Sequence, residues 1–132
     1  MKGYVGKIEQ LTRANSNFRT VLYTGKHSQL VLMNLKPREE IGEEVHADND
    51  QFFRFESGTG AVVIDGVRHD VSDGFAVIVP AGAKHNVINT SADDMLKMYT
   101  LYSPAHHLDG IIHRTREEAV EESEHFDGVT SE

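Results

Sequence analysis

The sequence has no cysteine. That excludes a disulfide framework, cysteine-ligated zinc, an iron–sulfur cluster and a thiol nucleophile. Long apolar runs are also missing. The longest, such as residues 75–79, are about five residues, against the roughly 20 needed to cross a bilayer. The first seven residues lack the apolar core of a signal peptide, so a soluble, cytoplasmic protein is expected. Basic residues are in deficit, 13 Lys and Arg against 21 Asp and Glu, for a formal charge of −8. Binding to nucleic acid or to an anionic membrane needs a basic surface, so neither partner is expected. The deficit has an address. Residues 117–132 hold seven acidic groups and no Lys or Arg, leaving 14 acidic against 13 basic groups in residues 1–116. The nucleophile elbow Gly-x-Ser-x-Gly and a phosphate-binding glycine-rich loop are both absent.

What is present suits a single domain. The chain has 132 residues, of which 39% are hydrophobic, enough for one core. Short runs rich in Val, Ile, Leu, Phe and Tyr, bounded by Gly, Pro, Asn or Asp, predict strands at 18–24, 29–35, 51–56, 60–64, 75–79, 85–89 and 95–102. Asp65-Gly66 between Val62-Val63-Ile64 and Val67-Arg68-His69 predicts a two-residue hairpin, since a type I′ turn requires positive φ. Short strands with regular turns point to an all-β sandwich or barrel. A short helix is predicted at 7–13. Thr115 followed by Glu118 forms a capping box that opens a second, solvent-facing helix over 117–125.

Eight histidines are the chemically conspicuous residues. The polar segment Gly42-Glu43-Glu44-Val45-His46-Ala47-Asp48-Asn49-Asp50-Gln51 leads into a strand. Extended alternation would place His46, Asp48 and Asp50 on one face. Later, Pro80-Ala81-Gly82-Ala83-Lys84-His85 ends one strand and starts another. Two histidines and a carboxylate from neighbouring strands suit a divalent Fe, Mn, Ni or Zn ion with open positions. Phe53 and Phe55 alternate from Gln51 and would line an apolar pocket. Tyr99 and Tyr102 lie on opposite faces of one strand, so one of them is expected at the pocket. A second group, His106, His107 and His113, follows Ser103-Pro104 and reads as a loop crossing a barrel face or as a contact between copies.

At these residues the sequence resembles the cupins. Gly74, Pro80, Gly82, His85 and Asn89 match every position of the family's second motif, Gly-x5-Pro-x-Gly-x2-His-x3-Asn. The first motif, Gly-x5-His-x-His-x3,4-Glu-x6-Gly, matches in part when His46 is taken as its first histidine. Asp48 then replaces the second histidine, and Gln51 stands at the glutamate seven residues before Gly58. The spacing from Gly42 is short, and so is the gap from Asp48 to Gln51. The resemblance implies a double-stranded β-helix barrel with a short C-terminal helix. Its layout would be an N-terminal segment and first strand in 1–24, the barrel in 25–102, and an acidic extension in 103–132. It also implies one divalent metal ion held by His46, Asp48, Gln51 and His85, with Asp50 as a competing carboxylate, and a homodimer. The implied function is metal-dependent chemistry on a small molecule, of dioxygenase or of sugar or sugar-phosphate isomerase type. The alternative is a non-catalytic binder of a small ligand or metal.

Overall fold

The computed structural model describes all 132 residues. Helix α1 (Ile8–Ala14) carries Glu9 in its first turn and Arg13 in its last, each complementing the helix dipole. It is followed by β1 (Arg19–Thr24), β2 (Gln29–Leu35), β3 (Glu44–Val45), β4 (Asp50–Ser57), β5 (Thr59–Ile64), β6 (Val67–Ser72), β7 (Ala76–Val79), β8 (Lys84–Asn89), β9 (Leu96–Ser103) and β10 (Ile112–His113). Helix α2 (Arg116–Glu121) closes the order. Its N-cap is Thr115, whose side chain accepts from the Glu118 amide. No helix is long and apolar enough to cross a membrane.

The strands form two antiparallel sheets, ordered β10-β1-β2-β9-β4-β7 and β3-β8-β5-β6. Alternation sorts their side chains. Along β4, Gln51, Phe53 and Phe55 are buried while Phe52 and Arg54 are only half-buried. Along β9, Leu96, Met98, Thr100 and Tyr102 are buried in the same way. The inward residues make one cluster of 15, among them Phe53, Phe55, Met33, Leu35, Val62 and Met98. The β5–β6 hairpin turns at Asp65 (φ 46°) and Gly66 (φ 81°), both left-handed as a type I′ turn demands.

The seven strands expected from the sequence are all present, shifted by at most one residue at an end. Of the other three, β6 is the second arm of the expected Asp65-Gly66 hairpin, and two escape the sequence pattern. Strands β3 and β10 are two residues each, too short to show a period. Through β1 and β10, the segments on either side of the central strands complete the larger sheet.

Candidate metal centre

The site is built from cross-strand geometry. Strand β3 pairs antiparallel with β8, and Glu44 lies directly opposite His85. Residues opposite one another in an antiparallel pair share a face. His46 follows Glu44 at a spacing of two and is buried, while Val45 between them is exposed. One carboxylate oxygen and two imidazole nitrogens, from Glu44, His46 and His85, therefore lie within 4.8 Å of one another.

The local bonding sets the protonation and orientation of these groups. His85 Nδ1 sits 3.1 Å from the Ala83 carbonyl. A carbonyl only accepts, so Nδ1 carries the proton and Nε2 is left with its lone pair, an arrangement typical of metal-ligating histidine. His46 Nε2 is 3.0 Å from Glu44 Oε2. The two groups are thus in direct contact, off the line of a regular hydrogen bond. Burial pushes the Glu44 carboxyl up, but the neighbouring His46 and the field of Arg19 outweigh it and hold the group below its ordinary value. Glu44 is thus an anion in place.

Gln51 stands on β4 opposite Tyr102 of β9. Its Nε2 donates to Thr100 Oγ1 at 3.1 Å. Its Oε1 is buried and has no partner. Leaving such an oxygen unsatisfied costs about 1–3 kcal/mol, so a bound cation beside it would offset a standing penalty.

The positions expected from the sequence separate into two groups. His46 and His85 come together, and Gln51 lies beside Tyr102, whose ring centroid is 5.7 Å from that of His46. Asp48 does not join them. It is exposed in the turn between β3 and β4, where the extended alternation assumed from the sequence breaks down. Asp50 is exposed too, and its Oδ1 accepts from the Ala81 amide at 2.9 Å, bracing the Pro80 turn. Phe53 and Phe55 point inward but are fully buried in the core, with centroids 6.2 Å apart. Of the two tyrosines, Tyr102 faces the site, while Tyr99 packs outward on Phe52. Asn89 is a structural staple. Its amide donates to the carbonyls of Leu35, Lys36 and Asp94, and its oxygen accepts from Ser91 N.

These positions re-phase the first motif. Arg38, with φ 66°, takes the place of the leading glycine. After five intervening residues, Glu44 takes the first histidine position and His46 the second. Four residues separate His46 from Gln51, and six separate Gln51 from Gly58. Every spacing then agrees with the pattern, and the two short gaps found with His46 as first histidine disappear. The set at the four ligand positions is Glu44, His46, Gln51 and His85.

The loop after β9 supplies a roof that its sequence alone did not assign. Gln29, fully buried in β2, accepts from the amides of His106 (3.1 Å) and His107 (2.9 Å). Its own amide donates to Thr24 Oγ1 and the His107 carbonyl. This hangs the His106 ring over the centre, 4.3 Å from the His46 centroid. Burial, with His107 and His46 beside it, lowers the His106 pKa to about 4, so its imidazole is neutral. His107 Nδ1 donates to Glu124 Oε1 at 2.6 Å, and its Nε2 accepts from the Tyr102 hydroxyl at 3.2 Å. Burial opposes ionisation of Glu124, but the His107 bond and the Leu108 amide overcome it and bring its pKa to about 2. Burial keeps His107 neutral and the Tyr102 hydroxyl protonated. A chain of bonds therefore runs from Tyr102 through His107 to an ionised Glu124.

Two facing antiparallel sheets with a histidine–carboxylate group in the barrel interior define the double-stranded β-helix class. Residues 31–102 match the family description "Cupin domain", and the chain belongs to the cupin family. It is 45% identical over 113 residues to an uncharacterised protein of Acanthamoeba polyphaga mimivirus, a match covering 83% of this chain and 70% of that one. It is 43% identical over 125 residues to uncharacterised protein YrkC of Bacillus subtilis, covering 90% and 67%. The crystal structure of BH2720 from Bacillus halodurans superposes with a TM-score of 0.88 at 38% identity, covering 91% of this chain and 95% of that one.

Proposed function

We propose that this cupin is a metal-dependent enzyme acting on a small molecule. Glu44, His46 and His85 would hold one divalent ion, with Gln51 Oε1 as a further oxygen donor. The observation that carries this reading is a carboxylate and two imidazoles gathered within 4.8 Å of one another, with Gln51 contributing a buried oxygen that has no partner. Two histidines and a carboxylate suit Fe, Mn, Ni or Zn and leave positions open for a substrate. When bound, the ion supplies a Lewis acid or, as Fe, a centre for oxygen chemistry.

The chain's own residues supply the rest. His106 presents a neutral imidazole at the roof, able to accept a hydrogen bond from a ligand beneath it. Tyr102 is fixed by its bond to His107, leaving its oxygen lone pairs toward the interior. His106 from the loop and Tyr102 from β9 lie together over the centre, with centroids 5.3 Å apart. Dioxygenation and isomerisation beside a carbonyl are the two chemistries this supports. The second reading is a binder of the same ion and ligand without turnover, favoured by the close roof.

The test is metal analysis of protein purified without chelators, then oxygen uptake and proton NMR with a panel of diols, keto acids and sugars. Stoichiometric ion with turnover supports the enzyme; ion without turnover leaves the binder. Absence of any bound ion, with none taken up on addition, overturns both. A homodimer is part of the proposal, because edge strand β7 exposes Ile78 (66%) beside Phe75 (49%) and a second copy would cover them. Light scattering on the eluting peak reads that directly.

A further inference from the structure

A cavity of about 220 Å³ adjoins the centre on the side of helix α2. Glu44 lines it, as do Arg19 from β1 and Arg116 from the first turn of α2. Phe18, Ile41 and Ala119 give it an apolar wall. Its volume equals roughly seven water molecules at about 30 Å³ each, room for a short organic molecule.

Arg19 is unusual for a residue in a barrel wall. It is only 7% exposed, yet no carboxylate lies within ion-pairing distance of its guanidinium, although other side-chain pairs at the site meet that distance. Its Nη1 donates to His113 Nδ1 at 3.0 Å, a neutral partner. Its Nε is buried and has no partner at all. The anionic Glu44 and Glu124 act on it only through space, and its unpartnered Nε leaves it short of full hydrogen bonding, which is costly for a buried cation. Arg116 reaches the same cavity with its Nε bonded to the Ile41 carbonyl. These two arginines are 97 positions apart in sequence and meet only in the fold. Guanidinium edges are forks that fit the two oxygens of a carboxylate.

We infer that this cavity is the substrate subsite for a small organic carboxylate, its carboxylate held by Arg19 and Arg116 and its carbon chain against Phe18 and Ile41. The other end of the molecule points past Glu44 toward the centre. The inference rests on the metal-centre reading for that second end only; the arginine fork is independent of it. The carboxylate of Glu44 does not repel the ligand in the loaded protein, because its charge is shared with the ion.

The experiment uses the full chain, loaded with Zn and unloaded, titrated calorimetrically with pyruvate and with its neutral isostere pyruvamide. Wild type is expected to bind pyruvate at least tenfold more tightly than pyruvamide. Arg19→Gln and Arg116→Gln are each expected to lose at least tenfold in pyruvate affinity while keeping their zinc. Arg116 is at the start of an outer helix, so its variant carries the test even if Arg19→Gln does not fold. Equal binding of pyruvate and pyruvamide, unchanged affinity in Arg116→Gln, or no pyruvate binding by a zinc-loaded chain overturns the subsite and leaves the metal centre standing. A chain that takes up no zinc overturns the centre, and the unloaded titration then decides the subsite alone. Arginine-dependent pyruvate binding by the unloaded Glu44→Gln chain, which lacks the facing anion, then supports it, and no binding by that chain overturns it.

Discussion

Glu44 faces His85 directly across the β3–β8 pair, and this relationship puts a carboxylate at the centre. The sheet itself delivers the oxygen donor, from a residue two before His46 rather than two after it.

The metal set follows from that pairing. Glu44→Gln and His85→Ala are expected to lower bound divalent metal at least tenfold, because each removes a donor from a three-residue group. Asp48→Asn is expected to leave it unchanged. Inductively coupled plasma analysis of the three variants, purified alike, reads the difference. Metal lost from Asp48→Asn and kept by Glu44→Gln would reverse the assignment.

Core and centre are separable. Phe55 is fully buried against Phe53, so Phe55→Ala is expected to lose about 3–5 kcal/mol of stability. The fraction that stays folded is expected to keep its metal. Urea unfolding with metal analysis of the folded fraction checks both statements.

Acid should loosen the roof through Glu124. Its folded pKa of about 2 lies below the ordinary 4.5. The unfolded chain therefore binds the proton more readily, and the contribution is present above pH 4.5 and lost as pH falls toward 2. Glu124→Gln is expected to cost about 1–2 kcal/mol at neutral pH. Its melting temperature should converge on that of wild type as pH is lowered through that window. Parallel curves, with a constant gap, would show that the carboxylate charge contributes nothing.

Gly58 ends the motif for a steric reason. Its φ is +94°, and a Cβ there would collide with the Met95 carbonyl oxygen and come within 3.1 Å of Leu96 Cα. Both obstacles are backbone. Gly58→Ala is expected to destabilise the fold by about 3 kcal/mol or more, visible as a lower melting temperature.

Much of this architecture was legible in the residues. Runs rich in Val, Ile, Leu, Phe and Tyr between turn residues located seven strands, and the second motif found His85 with every spacing intact. The first motif misled because its glycine position is occupied by Arg38 in a left-handed conformation, which hides the starting point. Gly42, four residues further on, offered itself as a substitute and shifted the phase by one histidine. A two-residue strand such as β3 has no period to betray it, so Glu44 could not be told from Glu43. His106 and Arg19 were beyond reach for another reason. Their places depend on long-range partners, Gln29 for the loop that carries His106 and His113 for Arg19. The lack of any nearby Lys or Arg cluster in the sequence likewise concealed two arginines that the fold brings to one cavity.

Gln29 has a consequence for how anything reaches the centre. Its single amide makes four bonds, two to backbone amides of the roof, one to a roof carbonyl and one to Thr24. Three of the four tie the His106–His107 segment to strand β2 at one point. A side chain used to its full bonding capacity does not release one contact at a time, because each partner left behind would be a buried, unsatisfied group. Any route to the centre past the His106–His107 segment therefore breaks three bonds that a single side chain holds.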